Sequence, residues 1–103
     1  MKFGLKENII EKINKIFSEY SKIEKVYIYG SRAKGNYRNG SDIDISMVGK
    51  GLKYNDQLDI YDKIDDLLLP YMVDLSIYDQ IDNQNLTDHI DRVGKVFYEK
   101  DEG

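Results

Sequence analysis

YGSRAKGNYRNGSDIDIS, residues Tyr29 to Ser46, is the stretch on which the fold turns. An apolar run stops at Gly30-Ser31, crosses a basic and polar loop, and resumes with two aspartates separated by one isoleucine. A surface turn accounts for the loop but not for the aspartates. The run before it, Lys25 to Tyr29 (KVYIY), is dense in β-branched and aromatic residues and is cut off by Gly30, which predicts a strand buried on both faces. Asn39-Gly40 is a turn signal. From Asp42 to Val48 polarity alternates: Ile43, Ile45 and Met47 point one way, and Asp42, Asp44, Ser46 and Val48 the other. The two carboxylates therefore share a face.

Working outward, Glu7 to Tyr20 carries Ile9, Ile10, Ile13, Ile16, Phe17 and Tyr20 at helical spacing, an amphipathic helix. Beyond the central stretch, Gly49 to Gly51 breaks the strand. Asn55 can cap a helix bearing Leu58, Tyr61, Ile64, Leu67 and Leu68 that stops before Pro70. Tyr71 to Tyr78 alternates again, with Tyr71, Val73, Leu75 and Ile77 on the apolar face and Asp74 on the polar one. A helix over about Leu86 to Val93 ends at Gly94 and leads into KVFYE, a short strand or tail. The expected fold class is α+β: a small mixed β-sheet with helices packed on it, in one domain spanning residues 1–103.

Composition narrows the function classes. A chain of 103 residues can bury one modest core without staples, and the absence of cysteine removes disulfides and thiolate chemistry, which fits a reducing, cytoplasmic setting. Apolar runs such as LLLPYMV are too short to span a bilayer, so no membrane association is expected. A net charge of −4 argues against broad nucleic-acid binding, because counterion release needs clustered Lys and Arg.

Two carboxylates one residue apart on a strand repel each other and typically serve to hold a divalent cation; a third from a neighbouring strand completes an oxygen-rich site suited to Mg²⁺ or Mn²⁺. Asp74 is placed for that role if its strand lies beside the Asp42–Asp44 strand. Gly30-Ser31, followed by Ala33 and Lys34 able to start a short helix, offers backbone N–H groups and a hydroxyl to a phosphate, and glycine lets the anion approach without a Cβ in the way. A lone DxD in an acidic protein is more often a solvated strand edge, and a lone Gly-Ser is weaker still. Their combination with Asp74 reverses those odds. Elsewhere the plainer reading is preferred: His89, the one histidine, is expected to be solvated on its helix, and Asp59, Asp62, Asp65 and Asp66 to form a wet helix face.

Gly30-Ser31, then Arg32 to Ser41, then Asp42-Ile43-Asp44 matches the GSX10DXD signature of the DNA polymerase β-like nucleotidyltransferases. With GSRAKG, SDIDI and the terminal GKVFYE, the chain resembles the minimal MNT-type members, which include antitoxins paired with HEPN-domain ribonuclease toxins. The resemblance implies transfer of a nucleoside monophosphate from ATP or another NTP to a hydroxyl, with two Mg²⁺ ions (or Mn²⁺) as cofactors. By similarity Asp42 and Asp44 bind both metals, Asp74 binds the catalytic one and helps orient or deprotonate the acceptor, and Gly30 and Ser31 hold the β- and γ-phosphates. Arg32, Lys34 and Arg38 are near enough in sequence to assist.

Larger relatives add a second domain that shapes the acceptor site, whereas this chain is expected to end with the core fold. The acceptor is then expected to be the partner itself, a HEPN toxin whose tyrosine receives AMP and which is thereby neutralised. Two other readings stand beside it. One is a catalytically silent antitoxin acting by complex formation. The other is transfer to a small molecule or RNA, with room for a homo-oligomer.

Overall fold

The computed structural model describes residues 1–101. Four strands, β1 (Lys25–Tyr29), β2 (Ile43–Val48), β3 (Val73–Ile77) and β4 (Lys95–Glu99), form one mixed sheet in the order β3-β2-β1-β4. β1 pairs antiparallel with both β2 and β4, while β2 and β3 run parallel through the crossover helix. The helices are α1 (Glu7–Ser18), α2 (Ser31–Lys34), α3 (Tyr54–Asp65) and α4 (Gln84–Val93). The α+β class and mixed sheet are those the residue pattern implies, and KVFYE is a strand on the β1 edge rather than a tail.

One face of the sheet makes the main core. Val26 and Ile28 of β1, Ile43, Ile45 and Met47 of β2, and Ile13 and Phe17 of α1 are all fully buried, joined by Ile60 and Ile64 of α3. The period-2 alternation read from Ile43, Ile45 and Met47 is therefore real: a slip of one residue would send all three to the other face. That other face carries the polar ladder. Across it, Tyr29 pairs with Asp44 and Asp44 with Asp74 in one row, and Tyr27, Ser46 and Ser76 line up in the next. α4 lies on this second face, where His89 meets the Tyr29 ring edge-on.

Element ends differ from the sequence reading in physical ways. Asp42 precedes β2 rather than opening it. α3 starts at Tyr54, not after an Asn55 cap, because the Asp56 carboxylate accepts the Lys53 N–H at 2.9 Å and so serves the helix start from inside the first turn. It also ends before reaching Leu67. There Leu67 and Leu68 close a tighter turn on Ile64 and Asp65, and Leu68 adopts a left-handed φ of 54°. No helix among the described residues is long and apolar enough to cross a membrane.

Candidate active site

The site is built where β1 ends and β2 begins. β1 runs out at Tyr29, and Gly30 turns with φ 72° and ψ −154°, a conformation open in practice only to glycine. Its neighbour across the turn is Asp44: a Cβ on Gly30 would lie 2.6 Å from the Asp44 Oδ2. Gly30 and Asp44, more than ten residues apart in sequence, are therefore in direct apposition. Parallel pairing of β2 and β3 then sets Asp74 in register with Asp44. Adjacent strands sit about 4.8 Å apart, so two carboxylates on one face at that spacing feel each other strongly.

That repulsion is visible in the chemistry. Asp44 is pushed above its ordinary carboxylate range, first by burial, then by Asp74 and Asp42, with His89 and Arg32 partly offsetting the rise. Tyr29 is raised as well, chiefly by burial, with Asp74 and Asp44 adding to it and a hydrogen bond with Ser76 working against it. Deeper along the ladder Ser46 is fully buried and accepts a hydrogen bond from Ser76 Oγ at 2.9 Å, so the row behind the aspartates is satisfied. Among the described residues no three Asp, Glu, His or Cys side chains converge on a single point. Asp42 and Asp74 are exposed and Asp44 half-buried; the in-register pair Asp44 and Asp74 is the part of the three brought together, and its all-oxygen character and mutual repulsion suit a hard divalent cation.

Arg32, grouped in sequence with Lys34 and Arg38 as a phosphate-side cation, is placed otherwise. It is 3% exposed, and its guanidinium donates to the Ser41 carbonyl from Nε (3.1 Å) and Nη2 (2.8 Å) and to the Phe3 carbonyl from Nη1 (2.9 Å). It also lies over the Tyr71 ring at 4.8 Å and the Tyr37 ring at 5.4 Å. Arg32 thus clamps the loop at the residue before Asp42, against an N-terminal hairpin bridged between Lys2 and Leu5. The Asn39-Gly40 turn completes the clamp, with Ser41 N–H bonding back to the Arg38 carbonyl. Replacing Arg32 with lysine keeps the charge but not the fork. Arg32→Lys is expected to cost about 2 kcal/mol in a denaturant melt, the scale of one or two lost charge-assisted bonds. A variant as stable as wild type would dismiss the clamp.

The sequence reading missed His89. The imidazole is half-buried, not solvated: Nε2 accepts the Gly30 N–H at 3.2 Å, and the ring stands edge-on to Tyr29 with centroids 6.0 Å apart. The signal was present. Leu86, His89, Ile90 and Val93 fall on one helical stripe, so a histidine there faces the sheet with its apolar neighbours.

Comparison with known proteins places the fold in a family. The family model described as polymerase beta, nucleotidyltransferase matches residues 11–103. Among solved structures, a toxin–antitoxin complex with AMP-PNP is 24% identical over 95% of this chain and 77% of that one, with a TM-score of 0.71. A tri-AMPylated Shewanella oneidensis HEPN toxin in complex with MNT antitoxin gives 20% identity over 93% and 74%, at 0.69. A Sulfolobus solfataricus protein described as a nucleotidyltransferase gives 23% over 97% and 95%, at 0.55. No curated protein matches.

Proposed function

The chain belongs to the polymerase beta nucleotidyltransferase family, and from that premise we propose that it moves AMP from ATP to a tyrosine hydroxyl of a HEPN-domain toxin in the cytoplasm, neutralising it as an antitoxin. The observation that carries the reading is the register that sets Asp44 beside Asp74 while the Gly30 turn abuts Asp44, so that a phosphate-binding turn and an acidic pair address one volume. The partner is suggested by the fold shared with MNT chains, one of them seen with an AMPylated HEPN toxin.

In this reading Gly30 and Ser31 hold the β- and γ-phosphates, Gly30 by allowing close approach of the anion and Ser31 through its N–H and hydroxyl, leaving the α-phosphate above Asp42 and Asp44. The tyrosine oxygen attacks the α-phosphorus in line, the bond to the bridging oxygen breaks, and pyrophosphate leaves. Asp74 orients the attacking hydroxyl and takes up its proton. Asp42 and Asp44 would hold two Mg²⁺ ions, with Asp74 on the catalytic one, supplying charge neutralisation on the triphosphate and a more acidic acceptor hydroxyl.

Intact-mass spectrometry of a cognate HEPN-domain protein, purified alone and after incubation with this chain, Mg²⁺ and each NTP in turn, tests the proposal. A mass gain of one or more AMP groups with ATP is expected. A stable complex that neutralises the toxin without any gain would replace it with a binding antitoxin, and a gain on RNA or a small molecule in its place would reassign the acceptor.

A further inference from the structure

Gly30 reaches its conformation without strain but has more backbone freedom than any other residue, so the orientation of the turn depends on what its neighbours hold in place. Two strands fix the residues on either side of the site, but the Gly30 N–H points toward α4 and finds its acceptor there, in His89 Nε2 at 3.2 Å. An accepting Nε2 puts the proton of the neutral ring on Nδ1. The helix that brings this acceptor is itself anchored. Asn83 Oδ1 caps its start by accepting the Leu86 N–H at 3.2 Å, Ile90 is 3% exposed, and Tyr78 donates to Asp91 Oδ1 at 2.7 Å, which ties the helix to the end of β3. The Tyr29 ring, in the same row of the sheet as Asp44, braces the imidazole from the side.

We propose that His89 is a positioning residue for the phosphate turn: by accepting the Gly30 N–H it fixes the orientation of the Tyr29–Gly30 peptide where the chain enters the turn, so that the Ser31 N–H and hydroxyl that follow meet the triphosphate already aimed. The inference rests on the reading of Gly30-Ser31 as the triphosphate grip. It predicts an effect on nucleotide binding rather than on the chemical step, because the imidazole touches the turn and not the reacting atoms. Binding to a preorganised turn avoids the cost of ordering it, and one hydrogen bond sets the scale at roughly fivefold.

The test compares wild type with Ser31→Ala, His89→Ala and His89→Gln. It measures the Kd for AMP-PNP in Mg²⁺ by calorimetry, the KM and kcat for ATP, and the melting temperature of each. Glutamine Oε1 occupies the position along the side chain that Nε2 has in histidine, so it preserves the acceptor without the ring. Expected are a Kd and KM raised about fivefold in His89→Ala with the change falling on KM rather than kcat, and recovery to within about twofold in His89→Gln. If Ser31→Ala weakens AMP-PNP and His89→Ala does not, His89 has no part in the grip. A His89→Gln protein that folds but binds as poorly as His89→Ala would transfer the effect to ring packing on Tyr29 and overturn the acceptor role. Unchanged binding in Ser31→Ala and His89→Ala alike would remove the triphosphate reading of Gly30-Ser31 itself.

Discussion

Asp44→Asn is expected to abolish nucleotidyl transfer while raising the melting temperature of the metal-free protein at neutral pH. The loss follows from the proposed role: several kcal/mol of transition-state stabilisation depend on the ion that Asp44 would hold, so a fall of about 10³-fold or more in kcat/KM is the expected scale. The gain follows from the electrostatics. Burial and the charges of Asp74 and Asp42 raise the Asp44 carboxyl above its ordinary value, so the folded state binds its proton more tightly than the unfolded chain does. Stability attached to this group is then greatest at low pH and declines as pH rises from the ordinary carboxylate range, about 4, through the raised folded value. Above that window ionised Asp44 is a cost, and asparagine, of the same shape and no charge, removes it. Melting curves from pH 3.5 to 8 check this: the variant should equal wild type at the acid end and exceed it at neutrality. Added Mg²⁺ should raise the wild-type curve and leave the variant's nearly unmoved. Full activity in the variant would end the ligand assignment, and a lower neutral-pH melting temperature would overturn the electrostatic account.

What the sequence made legible was much of what is written in short-range pattern. The β2 alternation at Ile43, Ile45 and Met47, the abrupt end of β1 at Gly30 and the polar placement of Asp44 and Asp74 follow from period and residue type, and they carry the fold. Strand adjacency could only be posed as a condition, because nothing local to Asp74 states that β3 lies parallel to β2 with Asp44 as its partner. Arg32 shows a different limit. A basic residue beside a phosphate-binding signature invites a phosphate contact, yet its partners are the carbonyls of Phe3 and Ser41, and a backbone carbonyl has no signature in sequence. His89 was misread through an avoidable rule, charged neighbours taken as solvent exposure, when its spacing from Leu86 and Val93 already put it on the buried stripe.

Gly30→Ala, the second large effect, separates the geometry of the turn from its stability. Alanine at φ 72°, ψ −154° carries a backbone penalty of about 1–3 kcal/mol, which in a domain near 100 residues lowers the melting temperature by roughly 4–8 °C for each kcal/mol. The new methyl also meets Asp44 Oδ2 at 2.6 Å. Because that atom ends a side chain, the chain can accommodate the methyl by swinging the carboxylate away, so the protein should fold while its acidic pair is misplaced. A displacement near 1 Å at a reacting site costs about 10²-fold, and kcat/KM should fall by at least that factor. Gly35→Ala supplies the control. Gly35 also has a left-handed φ, 88°, but a Cβ there meets nothing within 4 Å. It should therefore lose stability by a similar backbone penalty and keep its transfer rate once assayed well below its melting temperature. Equal activity losses in the two variants would mean that strain in the α2 segment, not contact with Asp44, governs the site. An active Gly30→Ala would show that the apposition of the Gly30 turn and Asp44 is not where the chemistry occurs.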